Sequence, residues 1–126
     1  MNMASHKDQA LKPQITFGKF QNVDLRVARV VSAPMAEGTT SPCRVITLDV
    51  GHLGTRTSVG QYALISEEDL VGTNVIVCVN LSPREMGAYT SEALILGAPN
   101  PDSPHDQNQA IPLTVSQAAS CGDPIF

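Results

Sequence analysis

Three features of this 126-residue chain predict an all-β protein. Five short runs rich in Val, Ile and Thr are separated by stretches of Gly, Pro and Ser, the punctuation expected between strands. The clear helical signal among them falls between the third and fourth runs, and no crossover helices intervene, so the strands are expected to pair antiparallel. With 42% apolar residues the chain has material for a single core and therefore a single domain.

Residues 1–14 are polar and mixed, with Pro13 opposing a continuous helix, and read as a flexible N-terminal arm before a domain over 15–98. Thr16 is placed to cap a helical turn over 17–21, which puts Phe17 and Phe20 on one face, where they would pack onto the barrel as core. Residues 23–33 alternate at first, Val23, Leu25 and Val27 against Asp24, Arg26 and Ala28. The phase then slips at Val30 and Val31, as a bulge or strong bend requires. After a Pro- and Gly-containing loop at 34–42, residues 43–50 alternate again, with Arg44, Ile46, Leu48 and Val50 on one side. The GHLG connection at 51–54 leads to a third strand, 55–60, with Arg56 and Ser58 sharing a side. Ser66 to Asp69 has the S-x-x-D capping spacing, and Gly72 ends the turn that it starts. The fourth strand is 74–79 and the fifth 91–97. Residues 98–109 are dense in Pro, Asn, Asp and Ser and read as loop, while 111–115 and 124–126 are apolar enough to dock on the rest.

That order matches the five-stranded Greek-key barrel called the OB-fold, with short helical turns and a C-terminal extension. Another small β-barrel is the alternative. Ligands of an OB-fold meet the face of strands two and three and the loops joining strands one to two and four to five. If the polar side of strands two and three faces outward, Arg44, Arg56 and Ser58 lie on that face.

Composition narrows the function classes. No apolar run approaches the roughly 18 residues of a membrane span, and the N-terminus lacks the basic-then-apolar order of a signal peptide. A cytoplasmic protein with no membrane insertion is expected. Cys43, Cys78 and Cys121 are odd in number and far apart, which favours free thiols over a disulfide framework. The net charge is −4, and its distribution matters more: eight Lys or Arg balance eight acids up to Tyr89, whereas four acids and no base follow. Nucleic-acid affinity rests on phosphate neutralisation, so any RNA binding must come from a local patch. His6, His52 and His105 have no metal-ligand spacing, no G-K-[ST] follows GHLGTRTSVG, and no nucleophile elbow is present. No catalytic residue, metal or cofactor is therefore assigned.

The binding chemistry concentrates at 80–92, NLSPREMGAYTSE, the connection between strands four and five. Arg84 is a planar fork suited to a phosphate or a stacked base, or else a surface partner of Glu85 or Glu92. Asn80 and Ser91 suit a looped-out base, or else satisfy the loop's own backbone. Met86 offers a soft apolar contact if exposed and a core plug if buried. Five aromatic residues and no Trp argue against stacking platforms, leaving recognition of RNA shape.

The motifs DLRVARVVSA, TLDVG, LVGTNVIVCVNLSPREM and SEALILGA resemble the tRNA-binding domain of EMAP II, of bacterial methionyl-tRNA synthetase C-termini and of free-standing small proteins. The similarity spans 17–98. Within that family, PCRVITLDVGHLGTRTS and the proline-rich tail look most like the CsaA-type proteins, proposed export chaperones. The resemblance implies an OB-fold, no catalysis, tRNA as partner, and a homodimer closed partly by segments outside the barrel, here 99–126. It also implies a nucleic-acid-facing loop of Asn80, Pro83, Arg84 and Met86, closed by Ser91 and Glu92. Unfolded preproteins or peptides are the alternative ligands. The chain has Glu85 where the family often has a second base, and Ala28 where it often has Gly.

Overall fold

A computed structural model describes residues 8–126; His6 and the first half of the expected arm lie outside them. Strand β1 (Leu25–Ser32) lies between β2 (Arg44–Asp49) and β4 (Asn74–Cys78), and β3 (Thr55–Gly60) pairs the far side of β2, all antiparallel. Helical turn α1 (Phe17–Phe20) precedes β1, and α2 (Glu67–Leu70) separates β3 from β4. Hairpin strands β5 (Arg84–Met86) and β6 (Tyr89–Ser91) follow β4, and β7 (Leu94–Ile95) then pairs the end of β4. The order β3-β2-β1-β4-β7, with α2 where expected, is the strand order expected of an OB-type barrel. Among the described residues no helix is long and apolar enough to cross a membrane.

The phase slip in the sequence corresponds to a real irregularity: the register of β1 on β2 shifts between Val30 and Ser32. Side-chain alternation places Ala28 and Val30 of β1, Ile46 and Leu48 of β2, and Val75 and Val77 of β4 in one core. Val27, on the opposite face of β1, is buried too. The C-terminal segment covers it, exchanging backbone hydrogen bonds with it through Gly122 and Asp123.

Between β3 and β7 no strand ladder forms, and side chains together with one backbone bond bridge the seam. Ser91 Oγ accepts the Val59 N–H at 3.0 Å and donates to the Ala93 carbonyl at 3.3 Å. Glu92 donates its N–H to the Thr57 carbonyl at 2.7 Å, and its Oε1 accepts the Thr57 N–H at 3.3 Å. The Tyr62 hydroxyl donates to the Ile95 carbonyl at 3.0 Å. Gly60 and Gly97 make room for that ring: a Cβ on Gly97 would lie 2.6 Å from the Tyr62 hydroxyl, and one on Gly60 would lie 2.8 Å from the ring. Burial pushes the Tyr62 phenol up to about 12.

Several expected elements differ. The predicted fifth strand, 91–97, is broken, because Ser91 and Glu92 turn to serve β3 and Gly97 starts β8 (Gly97–Pro99), which pairs β9 (Ala110–Pro112). The predicted loop 80–92 contains the β5–β6 hairpin, turning at Gly87 with φ 63°. Thr16 and Ser66 cap α1 and α2 as expected, each accepting an N–H three residues on at 3.2 Å. Phe17 and Phe20 are not core, however. They are 71% and 43% exposed and pack on each other, ring centroids 6.4 Å apart. The 111–115 run docks as expected, through β9 and through β10 (Thr114–Val115) on β4. Pro124 and Ile125 join β1, whereas Phe126 is exposed. Cys43 and Cys78 are buried and all three cysteines are free thiols.

A phenol held neutral when folded and ionising near 10 when unfolded stabilises the fold fully below pH 10. That stability is lost as pH rises through the folded value. Chemical denaturation should therefore show wild type losing about 2–3 kcal/mol between pH 10 and 12 beyond any loss in Tyr62→Phe. Parallel pH profiles for the two proteins would remove Tyr62 from the seam.

Candidate nucleic-acid interface

The β5–β6 hairpin stands out from the barrel on anchors at its root and one side. Asn80 Oδ1 accepts the Asp24 N–H at 2.9 Å and Asn80 Nδ2 donates to the Asn22 carbonyl at 2.7 Å, which pins the end of β4 to the entry of β1. Arg84 lies opposite Ser91 and Met86 opposite Tyr89. The Tyr89 hydroxyl accepts the Glu37 N–H at 3.1 Å, so the hairpin is tied to the loop between β1 and β2. The two loops expected to meet ligands are therefore joined to each other.

Of the nine candidate residues, Pro83, Arg84 and Met86 share this hairpin and its approach. Pro83 and Arg84 are exposed and Met86 is half-buried, lining a cleft on each side of the hairpin. Among the described residues the Arg84 side chain makes no ion pair or hydrogen bond, so neither Glu85 nor Glu92 neutralises it. Asn80, Ser91 and Glu92 lie where expected along the chain, but Asn80 Oδ1 and Nδ2, Ser91 Oγ and Glu92 Oε1 are taken up by backbone groups, which assigns them to holding the hairpin.

The β2–β3 face corrects the sequence reading. Residues directly opposite in an antiparallel pair project to the same side. Arg56 pairs Leu48, Ser58 pairs Ile46 and Arg44 pairs Gly60, so Arg44, Arg56 and Ser58 share the inner side with the core. The outer side carries Val45, Thr47, Asp49, Thr55, Thr57 and Val59 and has no base. Arg44 is buried: its Nε donates to the Tyr62 and Ile65 carbonyls at 3.2 and 3.0 Å, and its Nη1 to Ala33 at 2.7 Å. It staples the segment after β3 to the end of β1 and is unavailable to phosphate. Ser58 is 2% exposed, and Arg56 is half-buried near the start of β3. Sequence reasoning missed Tyr62 and Tyr89, whose hydroxyls position the site from across the fold. Nothing local in their sequence context marks those bonds.

Residues 25–124 match the family model described as "Putative tRNA binding domain". The methionine–tRNA ligase of Thiobacillus denitrificans is 41% identical over 93 residues, and that of Methylibium petroleiphilum 38% over 95. Those alignments cover 73% and 75% of this chain, which spans only 13% and 14% of the ligases' length. Among solved structures, the chaperone CsaA of Bacillus anthracis superposes with a TM-score of 0.80 at 26% identity, covering 90% of this chain and all of that one. A MetRS-related protein of Pyrococcus horikoshii, at 22% identity, shares the fold with a TM-score of 0.77, covering 91% of this chain and all of its own.

Arg44→Met keeps the side chain's stem but removes the donor to the Ala33 and Ile65 carbonyls and leaves the Tyr62 carbonyl only the Ile65 N–H. Denaturant unfolding should show a loss of about 3 kcal/mol. A loss below about 1 kcal/mol would mean that the buried staple contributes little and that Arg44 is free for another role.

Proposed function

Because the chain belongs to the tRNA-binding domain family, we propose that it binds structured tRNA and catalyses no reaction. The observation that carries this reading is Arg84: an exposed, unneutralised guanidinium on a hairpin whose root and flank are fixed by Asn80, Ser91, Glu92 and Tyr89. Pro83 and Met86 flank it as apolar contacts. The acidic remainder of the chain repels phosphate elsewhere, which confines the ligand to the hairpin end. A cytoplasmic location accords with such a ligand.

The domain is a barrel over 15–98 completed by an extension, 99–126, and it acts as a homodimer. A groove of about 430 Å³ is lined by Phe17, Phe20, Val23, Leu25 and Ile125, with Phe126 exposed at its edge. Apolar surface of this kind suits a second copy, and two-fold symmetry would present two hairpins to one tRNA. The same groove favours a second reading, in which the protein shelters unfolded preprotein segments, as the similarity to a CsaA chaperone suggests.

Filter binding of total tRNA across a salt series tests the first reading. Arg84→Ala should weaken binding about tenfold and reduce the slope of log affinity against log salt by about one. Unchanged affinity and slope would remove Arg84 from the interface. An unfolded peptide that binds independently of salt, with tRNA not binding, would favour the second reading.

A further inference from the structure

We propose that the cleft between the hairpin and the β3–β7 seam receives one unpaired base of the bound RNA, with Arg84 holding the phosphate beside it. This rests on the tRNA-binding reading and specifies what the site accepts. The cleft measures about 440 Å³, within the usual range of small-ligand sites. It exists because β3 and β7 are joined mainly by side chains rather than by a ladder.

Its walls and edges have different chemistry. Val59, Leu94 and Leu96 supply apolar surface, and Gly60 and Gly97 bring bare backbone to the lining, which suits the faces of a flat ring. Ser58 also lines the cleft. It is 2% exposed, and its hydroxyl makes no hydrogen bond among the described residues. As donor and acceptor, that hydroxyl matches the edge of any base. Arg84 and Met86 stand at the same cleft, so a cation lies beside the apolar walls. An apolar peptide would use the walls and leave Arg84 without a counter-charge; a nucleotide uses both.

The test compares a single-stranded tetraribonucleotide with an abasic tetramer of equal charge, by fluorescence anisotropy. Wild type should bind the base-bearing tetramer about tenfold more tightly. Leu94→Trp, which fills the cleft, should reduce that affinity to the abasic level, and Ser58→Ala should remove part of the preference. Thermal melting checks that both variants fold, and Ser58→Ala serves alone if Leu94→Trp does not. Equal binding of the two tetramers by wild type, or a preference that survives both substitutions, would overturn the base site. If neither tetramer binds while tRNA does, the base site fails and tRNA binding stands; if tRNA also fails, both fall. An apolar peptide blocked by Leu94→Trp, with both tetramers not binding, would reassign the cleft to protein segments.

Discussion

Bridging of the β3–β7 seam, mainly by side chains, is the constraint on which the rest of the structure depends. A strand edge with unpaired N–H groups must find acceptors, and here Ser91 Oγ and Glu92 Oε1 supply them to Val59 and Thr57. Tyr62 crosses the same gap to the Ile95 carbonyl, in space that Gly60 and Gly97 leave open. Ser91 ends β6 and Glu92 follows it, so the contacts that complete the barrel also set the direction of the hairpin bearing Arg84. Fold and candidate interface therefore share the same few hydrogen bonds.

This arrangement accounts for how an acidic chain can address a polyanion. The outer face of β2 and β3 offers threonine, valine and Asp49 but no base, and Arg44 is engaged by three carbonyls inside. Arg26 is bonded to Asp24 at 2.6 Å. Arg29 is bonded to the side chains of Asn74 and Gln117, and the Arg84 guanidinium stands unpaired on the hairpin. Binding at the hairpin then depends on where the Arg84 guanidinium stands relative to the clefts beside it, which is a matter of shape more than of total charge.

Much of this was legible in the sequence where a local pattern has one structural solution. The Thr16 and Ser66 caps, the bulge at Val30 and the α2 turn between β3 and β4 are of that kind. Arg44 was legible and misplaced: alternation put it with Ile46, Leu48 and Val50, the residues that became core, although arginine is rarely buried without partners. Phe17 and Phe20 share a face, but spacing alone does not distinguish a face turned to the barrel from one turned to solvent. The seam could not be read at all. Ser91, Glu92 and Tyr62 look like binding groups or a core aromatic until the chain folds and brings Val59, Thr57 and Ile95 beside them.

The most direct measurement is amide hydrogen exchange at Thr57, Val59 and Glu92. If side chains close the barrel, the Thr57 and Val59 amides should be protected to nearly the level of the β1–β2 ladder, as should the Glu92 amide on its backbone bond, and Ser91→Ala should release Val59 while leaving that ladder protected. Exchange at the rate of exposed loop amides in the wild-type protein would show an open seam, and the account of what aims Arg84 would fail with it.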